Sequence, residues 1–242
     1  MDAATLAAVG AFVLLGAATQ RITGMGFALV ASPLLVLALG PLAGVQLSQV
    51  LGLSVSALVL AQVWRAAEGR KAVGLFLPAL IGIIPGAWVT RTLPPAILSI
   101  VIGALVLIAL LATVASERAR VFRGTPGLLA AGFLSGFMNV TAGVGGPAIV
   151  LYALSTDWKH EDFVATVQLY FVGLNIASLT ARGLPALEDS TWIVVGIALA
   201  IGLAAGSLLA AKVSASLARR LVVVVAVLGS LATVAKGVLA LH

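Results

Sequence analysis

Two short stretches of this chain combine polar side chains with glycines in a pattern that interrupts a helix. The first reads Gln20-Arg21-Ile22-Thr23-Gly24-Met25-Gly26, and the second Asn139-Val140-Thr141-Ala142-Gly143-Val144-Gly145-Gly146-Pro147. Glycine permits positive φ and close backbone approach, and proline suits the first turn of a helix that restarts. Each interruption leaves backbone N–H groups free at the N-terminus of the helix that follows. Such an end carries roughly half an elementary positive charge and favours anions. The candidate substrate-binding positions are therefore Thr23, Gly24, Met25 and Gly26 at the first break. At the second they are Asn139, Thr141, Gly143, Gly145, Gly146 and Pro147. A valine at Gly24 or Gly145 is expected to intrude where close approach is needed. Gly82/Gly86 and Gly202/Gly206 lack polar company and are read as helix-packing positions, a common use of small residues in membranes.

Other polar residues interrupt otherwise apolar runs. Gln49 and Gln168 sit 119 residues apart, as do Ser56 and Asn175. Buried amides need partners, so Gln49, Gln168 and Asn175 either line a polar cavity or bond between helices. Arg21 is the cation within the breaks. Its guanidinium suits bidentate binding of a sulfonate or carboxylate, or else reaches toward the membrane interface. All eight acids and both histidines (His160 and His242) fall in expected loops or termini. A proton relay places such groups within the membrane. No metal-ligand or nucleophile cluster can be assembled at depth, so no cofactor is expected and the chain is not read as an enzyme.

The elements that position these residues follow from composition. Of 242 residues, 62% are hydrophobic and 9% charged, with a mean hydropathy of +1.20. Soluble domains carry about 25% charged residues. Lipid must cover this surface, and lipid permits only helices or closed barrels. Unbroken apolar runs such as 96–115 and 221–235 match helix lengths rather than alternating barrel strands. Ten segments are expected, at 4–20, 25–39, 43–64, 72–90, 95–115, 126–139, 144–156, 163–182, 191–211 and 220–240. Trp64, Trp88, Trp158 and Trp192 lie near segment ends, where amphipathic rings prefer the interface.

The net charge of +6 is concentrated in three loops, around Arg65/Arg70/Lys71, Arg118/Arg120/Arg123 and Lys212/Arg219/Arg220. Such loops stay cytoplasmic, which explains the basic balance without a nucleic-acid partner. Tracing spans between them also places residues 157–162 inside. Stretch 126–156 must then start and finish on one side. Its two arms look too short for full spans, so a re-entrant hairpin is expected, broken at residues 139–146.

Gly24-x-Gly26 recurs as Gly143-x-Gly145 after 119 residues, the offset that also relates Gln49 to Gln168. Gly82-x-x-x-Gly86 recurs after 120. The chain reads as a duplication, with repeats 1–120 and 121–242 in one membrane domain. Each would hold a broken hairpin and three full spans, an odd number of crossings, so the second repeat must be inverted. The expected fold class is an all-α integral membrane protein of two inverted repeats. Such folds place the substrate near the bilayer midplane.

The segments Gly24-Met25-Gly26 through Ser32-Pro33-Leu34-Leu35 and Gly132-Phe133-Leu134-Ser135-Gly136 through Pro147 resemble the sulfite exporter TauE/SafE family. That family carries a glycine-rich motif in each half of a duplicated membrane protein. The first motif departs at Gly26-Phe27-Ala28, where a longer glycine run is usual, and the second has one glycine fewer before Pro147. The resemblance implies a multi-pass inner-membrane carrier of sulfite or an organosulfonate. Its partners would be that small anion and the bilayer, with a homodimer left open. A passive anion channel is the nearest alternative, and a membrane-embedded enzyme or assembly subunit a more distant one.

Overall fold

The computed structural model describes residues 1–24, 26–115, 122–156, 158–210 and 212–241. Among them every regular element is a helix. In order these are α1 (Ala3–Thr23), α2 (Phe27–Leu39), α3 (Pro41–Val63), a 3₁₀ turn (Trp64–Ala66), α4 (Gly69–Thr92), α5 (Pro95–Ala115), α6 (Gly124–Ala142), α7 (Gly146–Ser155), α8 (His160–Arg182), α9 (Asp189–Ala210) and α10 (Ala215–Leu239). The ten expected segments are these ten α-helices. Seven are long and apolar enough to cross a membrane, and α2 and α7 are shorter apolar helices. The chain is a multi-pass membrane protein.

The differences lie at helix ends, where polar caps decide what apolar runs cannot. The start of α10 lies five residues earlier than expected, because the Ser214 hydroxyl accepts from the Leu217 N–H. The start of α8 takes in Glu161 and Asp162, acids suited to the positive end of a helix. The larger correction is α6. It is 19 residues long, about 28 Å at 1.5 Å per residue, and not the short arm read from the sequence. Asn139 to Ala142 stay helical because the chain turns only at Gly143, where φ is 72°.

The chain divides into two compact units. Unit 1 comprises residues 1–48, 93–107 and 185–242, and unit 2 comprises 49–92 and 108–184. Each joins a broken hairpin from one half of the sequence to long helices from the other.

In unit 1, α1 packs on α2 and α9, and α2 packs on α10. A Cβ added at Gly202 or Gly206 would lie 2.6 Å from Leu14 O or 2.7 Å from Ala18 O. Those glycines thus let α9 approach the α1 backbone. The Thr233 hydroxyl donates to Pro33 O at 3.0 Å. The Lys236 ammonium donates to Leu37 O at 2.8 Å, placing a cation on the negative end of α2. The Met1 ammonium lies 2.7 Å from Glu188, where it holds that carboxyl below its ordinary pKa.

In unit 2, α4 packs on α6 and α8. Gly82 and Gly86 face the backbone of Phe133 and Phe137, while Gly132 and Gly136 face the Leu75 and Ala79 carbonyls. The packing reading of Gly82/Gly86 and Gly202/Gly206 therefore holds in both units. Phe122 N–H donates to Ser155 Oγ at 3.4 Å, so α6 begins where α7 ends. Glu68 N–H donates to Thr166 Oγ1 at 2.9 Å, and the Lys71 ammonium lies 4.6 Å from the centre of the Trp158 ring. The stretches expected to share one side, near 65–71, 122–125 and 157–162, accordingly meet at one end. Arg118, Arg120 and Asp157 lie outside the described residues. Trp64 and Trp88 are exposed near helix ends, while Trp158 packs edge-on against Tyr152 and Phe163.

Candidate functional site

The two breaks share one backbone design. Gly24 and Gly143 close α1 and α6 in the left-handed region, at φ 83° and 72°. Each donates its N–H four residues back, Gly24 to Gln20 O and Gly143 to Asn139 O. Gly26 and Gly145 then begin α2 and α7, at φ −84° and −91°. An L side chain in the left-handed region is strained by about 1–2 kcal/mol, which is why glycine stands at both closing positions. Met25 lies outside the described residues.

At the second break the backbone hides its acceptors. The last carbonyls of a helix lack intrahelical partners, and those of α6 find others. Asn139 O accepts from Gly143 N–H at 2.8 Å and from Gln49 Nε2 at 2.7 Å. Val140 O and Thr141 O both accept from Arg182 Nη1, the latter at 3.2 Å. Gly145 O accepts from the Ser135 hydroxyl at 2.7 Å. The Asn139 amide donates to Asn175 Oδ1 at 3.2 Å and Ser178 Oγ at 3.0 Å. By contrast, Gly145 makes no side-chain cap to α7, and Pro147 occupies its first turn. No side chain therefore caps the start of α7, while a guanidinium covers the negative end of α6. Residues 139–145 are all buried, so these charges act in a low dielectric.

The polar residues belong to helix faces that meet. Gln168, Asn175, Ser178 and Arg182 lie on one face of α8, since positions seven apart fall nearly in line. Gly52 on α3 would place a Cβ 3.4 Å from Asn175 Nδ2, beside Gln49 one turn away. Gln49, Asn139 and Asn175 are thus brought into one network. Thr141 and Gln168 are buried close to it in the chain, but among the described residues no hydrogen bond at Thr141 Oγ1 or Gln168 Oε1 joins it. Gln49 Oε1, Thr141 Oγ1 and Gln168 Oε1 are buried without a hydrogen-bond partner among the described residues.

At the first break the arrangement differs. Gln20 spans the interruption, donating from Nε2 to Gly24 O at 2.9 Å and accepting at Oε1 from Phe27 N–H at 3.0 Å. Arg21 Nε donates to Ser207 Oγ on α9 at 2.9 Å. The Thr23 hydroxyl bonds back to Thr19 O at 2.8 Å. A Cβ at Gly24 would meet nothing within 4 Å, contrary to the expectation of close approach there. At Gly145 it would lie 2.8 Å from Ser135 Oγ and 3.0 Å from Leu174 Cδ2. Close approach is thus confined to the second of those two positions.

Sequence reasoning passed over Arg182, Ser178 and Ser135. A signal for Arg182 existed, because Gln168, Asn175 and Arg182 recur every seven residues. Ser135 stands inside the glycine-rich segment Gly132–Gly136.

The family model described as sulfite exporter TauE/SafE matches residues 8–233. No curated protein and no solved structure matches the chain. The match runs from within α1 to within α10 and includes both glycine-rich breaks, so this chain belongs to the sulfite exporter TauE/SafE family of membrane transporters.

Proposed function

We propose that this transporter is a secondary carrier of a small sulfur oxyanion, sulfite or an organosulfonate, held by the donors at the start of α7. The observation that carries this reading is the pairing of an uncapped helix N-terminus with a neighbouring helix end whose carbonyls are already occupied by Arg182 and Gln49. One guanidinium and one helix end suit a singly charged ligand better than a doubly charged one, whose desolvation costs more. Gln49 Oε1 and Gln168 Oε1, buried acceptors without partners, suit water or the hydroxyl of a protonated oxyanion. The depth fits a midplane position, since Gly145 and Gly146 lie beside Leu174 and Phe171, near the middle of the 23-residue α8. The matching caps of the two breaks, and the return of α7 to the start of α6, support two inverted repeats with re-entrant hairpins.

The test is a thermal-shift and proteoliposome series with sulfite, sulfoacetate, taurine, sulfate and carboxylate analogues. Monovalent sulfur oxyanions should stabilise the protein most and show saturable counterflow. Stronger stabilisation by carboxylates would remove the substrate assignment, and non-saturating flux without counterflow would assign a channel. For the inverted repeat, single cysteines at positions 68 and 216 should both be labelled from the cytoplasm. The chain has no native cysteine to interfere. Periplasmic labelling at 216 would sink the inversion.

A further inference from the structure

At the end of unit 2 where the stretches near 65–71 and 157–162 meet, a cavity of about 390 Å³ opens, lined by Glu68, Lys71, Tyr152, Trp158, Lys159 and Asp162 among others. That volume is within the range of small-molecule sites, about 300–1,000 Å³. It lies at the N-terminal end of α8, away from the break beside the middle and end of that helix.

Half of the charge in this cavity is already used. Lys71 Nζ pairs with Glu68 at 2.5 Å and stands over the Trp158 ring at 4.6 Å. The rest is not. Lys159 and Asp162 make no ion pair among the described residues. Lys159 precedes the first turn of α8 and Asp162 lies within it, three positions on, so the two side chains start a few ångströms apart. The Trp158 Nε1–H is buried and donates to nothing among the described residues, an arrangement that costs stability unless an acceptor arrives.

These three groups ask for complementary chemistry. A simple anion would satisfy Lys159 and the indole but set a second negative charge against Asp162 and Glu68. A simple cation would satisfy Asp162 and leave the indole and Lys159 unmet. A ligand with both charges on a short chain satisfies all three, and Tyr152 and Trp158, with ring centroids 6.2 Å apart, supply an apolar wall. We infer that this cavity binds a small zwitterion, a primary ammonium joined by a short chain to an oxyanion. Both a phosphoethanolamine lipid headgroup and a free solute of the same chemistry carry it.

The experiment uses the full chain and reads tryptophan emission, with Trp158→Phe as the reference that removes the signal of the other tryptophans. In detergent the probes are glycerophosphoethanolamine, glycerol phosphate and ethanolamine. In nanodiscs they are phosphatidylethanolamine and phosphatidylglycerol bilayers. The expected result is a saturable, Trp158-dependent signal from the zwitterion, at least tenfold weaker with either singly charged fragment. Lys159→Gln and Asp162→Asn should each weaken it at least tenfold while the thermal unfolding midpoint of the unliganded protein is unchanged. A response to the soluble probe identifies a free solute as a sufficient source, and a response confined to phosphatidylethanolamine nanodiscs identifies a lipid headgroup. The inference is overturned by equal binding of a singly charged fragment, by unchanged affinity in the folded Lys159→Gln/Asp162→Asn double variant, or by no saturable signal in either setting.

Discussion

The two breaks begin with the same backbone and diverge in what surrounds it. In each, a left-handed glycine ends one helix and a second glycine, two residues on, starts the next. At the first break Gln20 turns its amide back across the interruption, taking one of the N–H groups at the start of α2. At the equivalent place in the second, Asn139 points its amide at Asn175 and Ser178 on α8, leaving α7 uncapped. The cations diverge as well. Arg21 is held by Ser207 at an exposed position, whereas Arg182 reaches two buried carbonyls at the end of α6. A recurring glycine pattern thus yields one break capped by its own glutamine and another whose second helix has no side-chain cap. Backbone geometry is shared because glycine sets it, while electrostatic character depends on side chains from neighbouring helices.

The largest expected effect separates the close-packed position from the open one. Gly145→Val places its branches against Ser135 and Leu174, and overpacking of this kind costs about 1–3 kcal/mol or more. It should abolish oxyanion binding in a thermal-shift titration. Gly24→Ala, in open space but at φ 83°, should cost about 1–2 kcal/mol of stability and leave affinity within a few fold. Normal affinity in Gly145→Val would reduce that glycine to a packing role and dissolve the contrast.

Next comes the pair of arginines. Arg182→Gln uncovers the Val140 and Thr141 carbonyls beside the proposed anion. Charged hydrogen bonds contribute about 1.5–3 kcal/mol, so affinity should fall roughly tenfold to a hundredfold, with partial recovery in Arg182→Lys. Arg21→Gln, measured alongside, should change affinity less than about threefold, as exposed polar contacts contribute little. Equal losses in the two variants would make the breaks equivalent as anion sites.

The smallest effect tests the self-satisfied break. Gln20→Ala removes two hydrogen bonds, each with a net contribution of about 1 kcal/mol. Stability should drop by about 1–2 kcal/mol, amide exchange at Phe27 should accelerate, and oxyanion affinity should stay unchanged. A large affinity loss would show that the first break contributes more than its hydrogen bonds suggest.

Much of this was legible in the residues. Ten helices follow from apolar runs, because lipid leaves no other way to satisfy the backbone. The breaks follow from Gly24/Gly26 and Gly143/Gly145, because glycine tolerates the left-handed turn that both closing positions adopt. The meeting of residues near 65–71 and 157–162 was implied by counting crossings between basic loops, despite the acids in the second stretch. The length of α6 was not legible, since Asn139 and Thr141 look like the edge of an apolar run although their backbones continue the helix to Gly143.

What the sequence alone determined is therefore local or periodic: helix number, the two breaks, the matched polar positions and the glycine faces. Tertiary structure decided which partners those positions meet. Gln49 bonds the backbone of Asn139 rather than Gln168, the glutamine 119 residues on, Gln20 folds onto its own break, and Arg182 covers the end of α6. Gln20 finds its partners four and seven residues away, but the other two choices depend on where a side chain from a distant segment arrives. A hydrogen bond between residues 90 positions apart leaves no trace in composition or spacing, because its geometry exists only after the helices have packed.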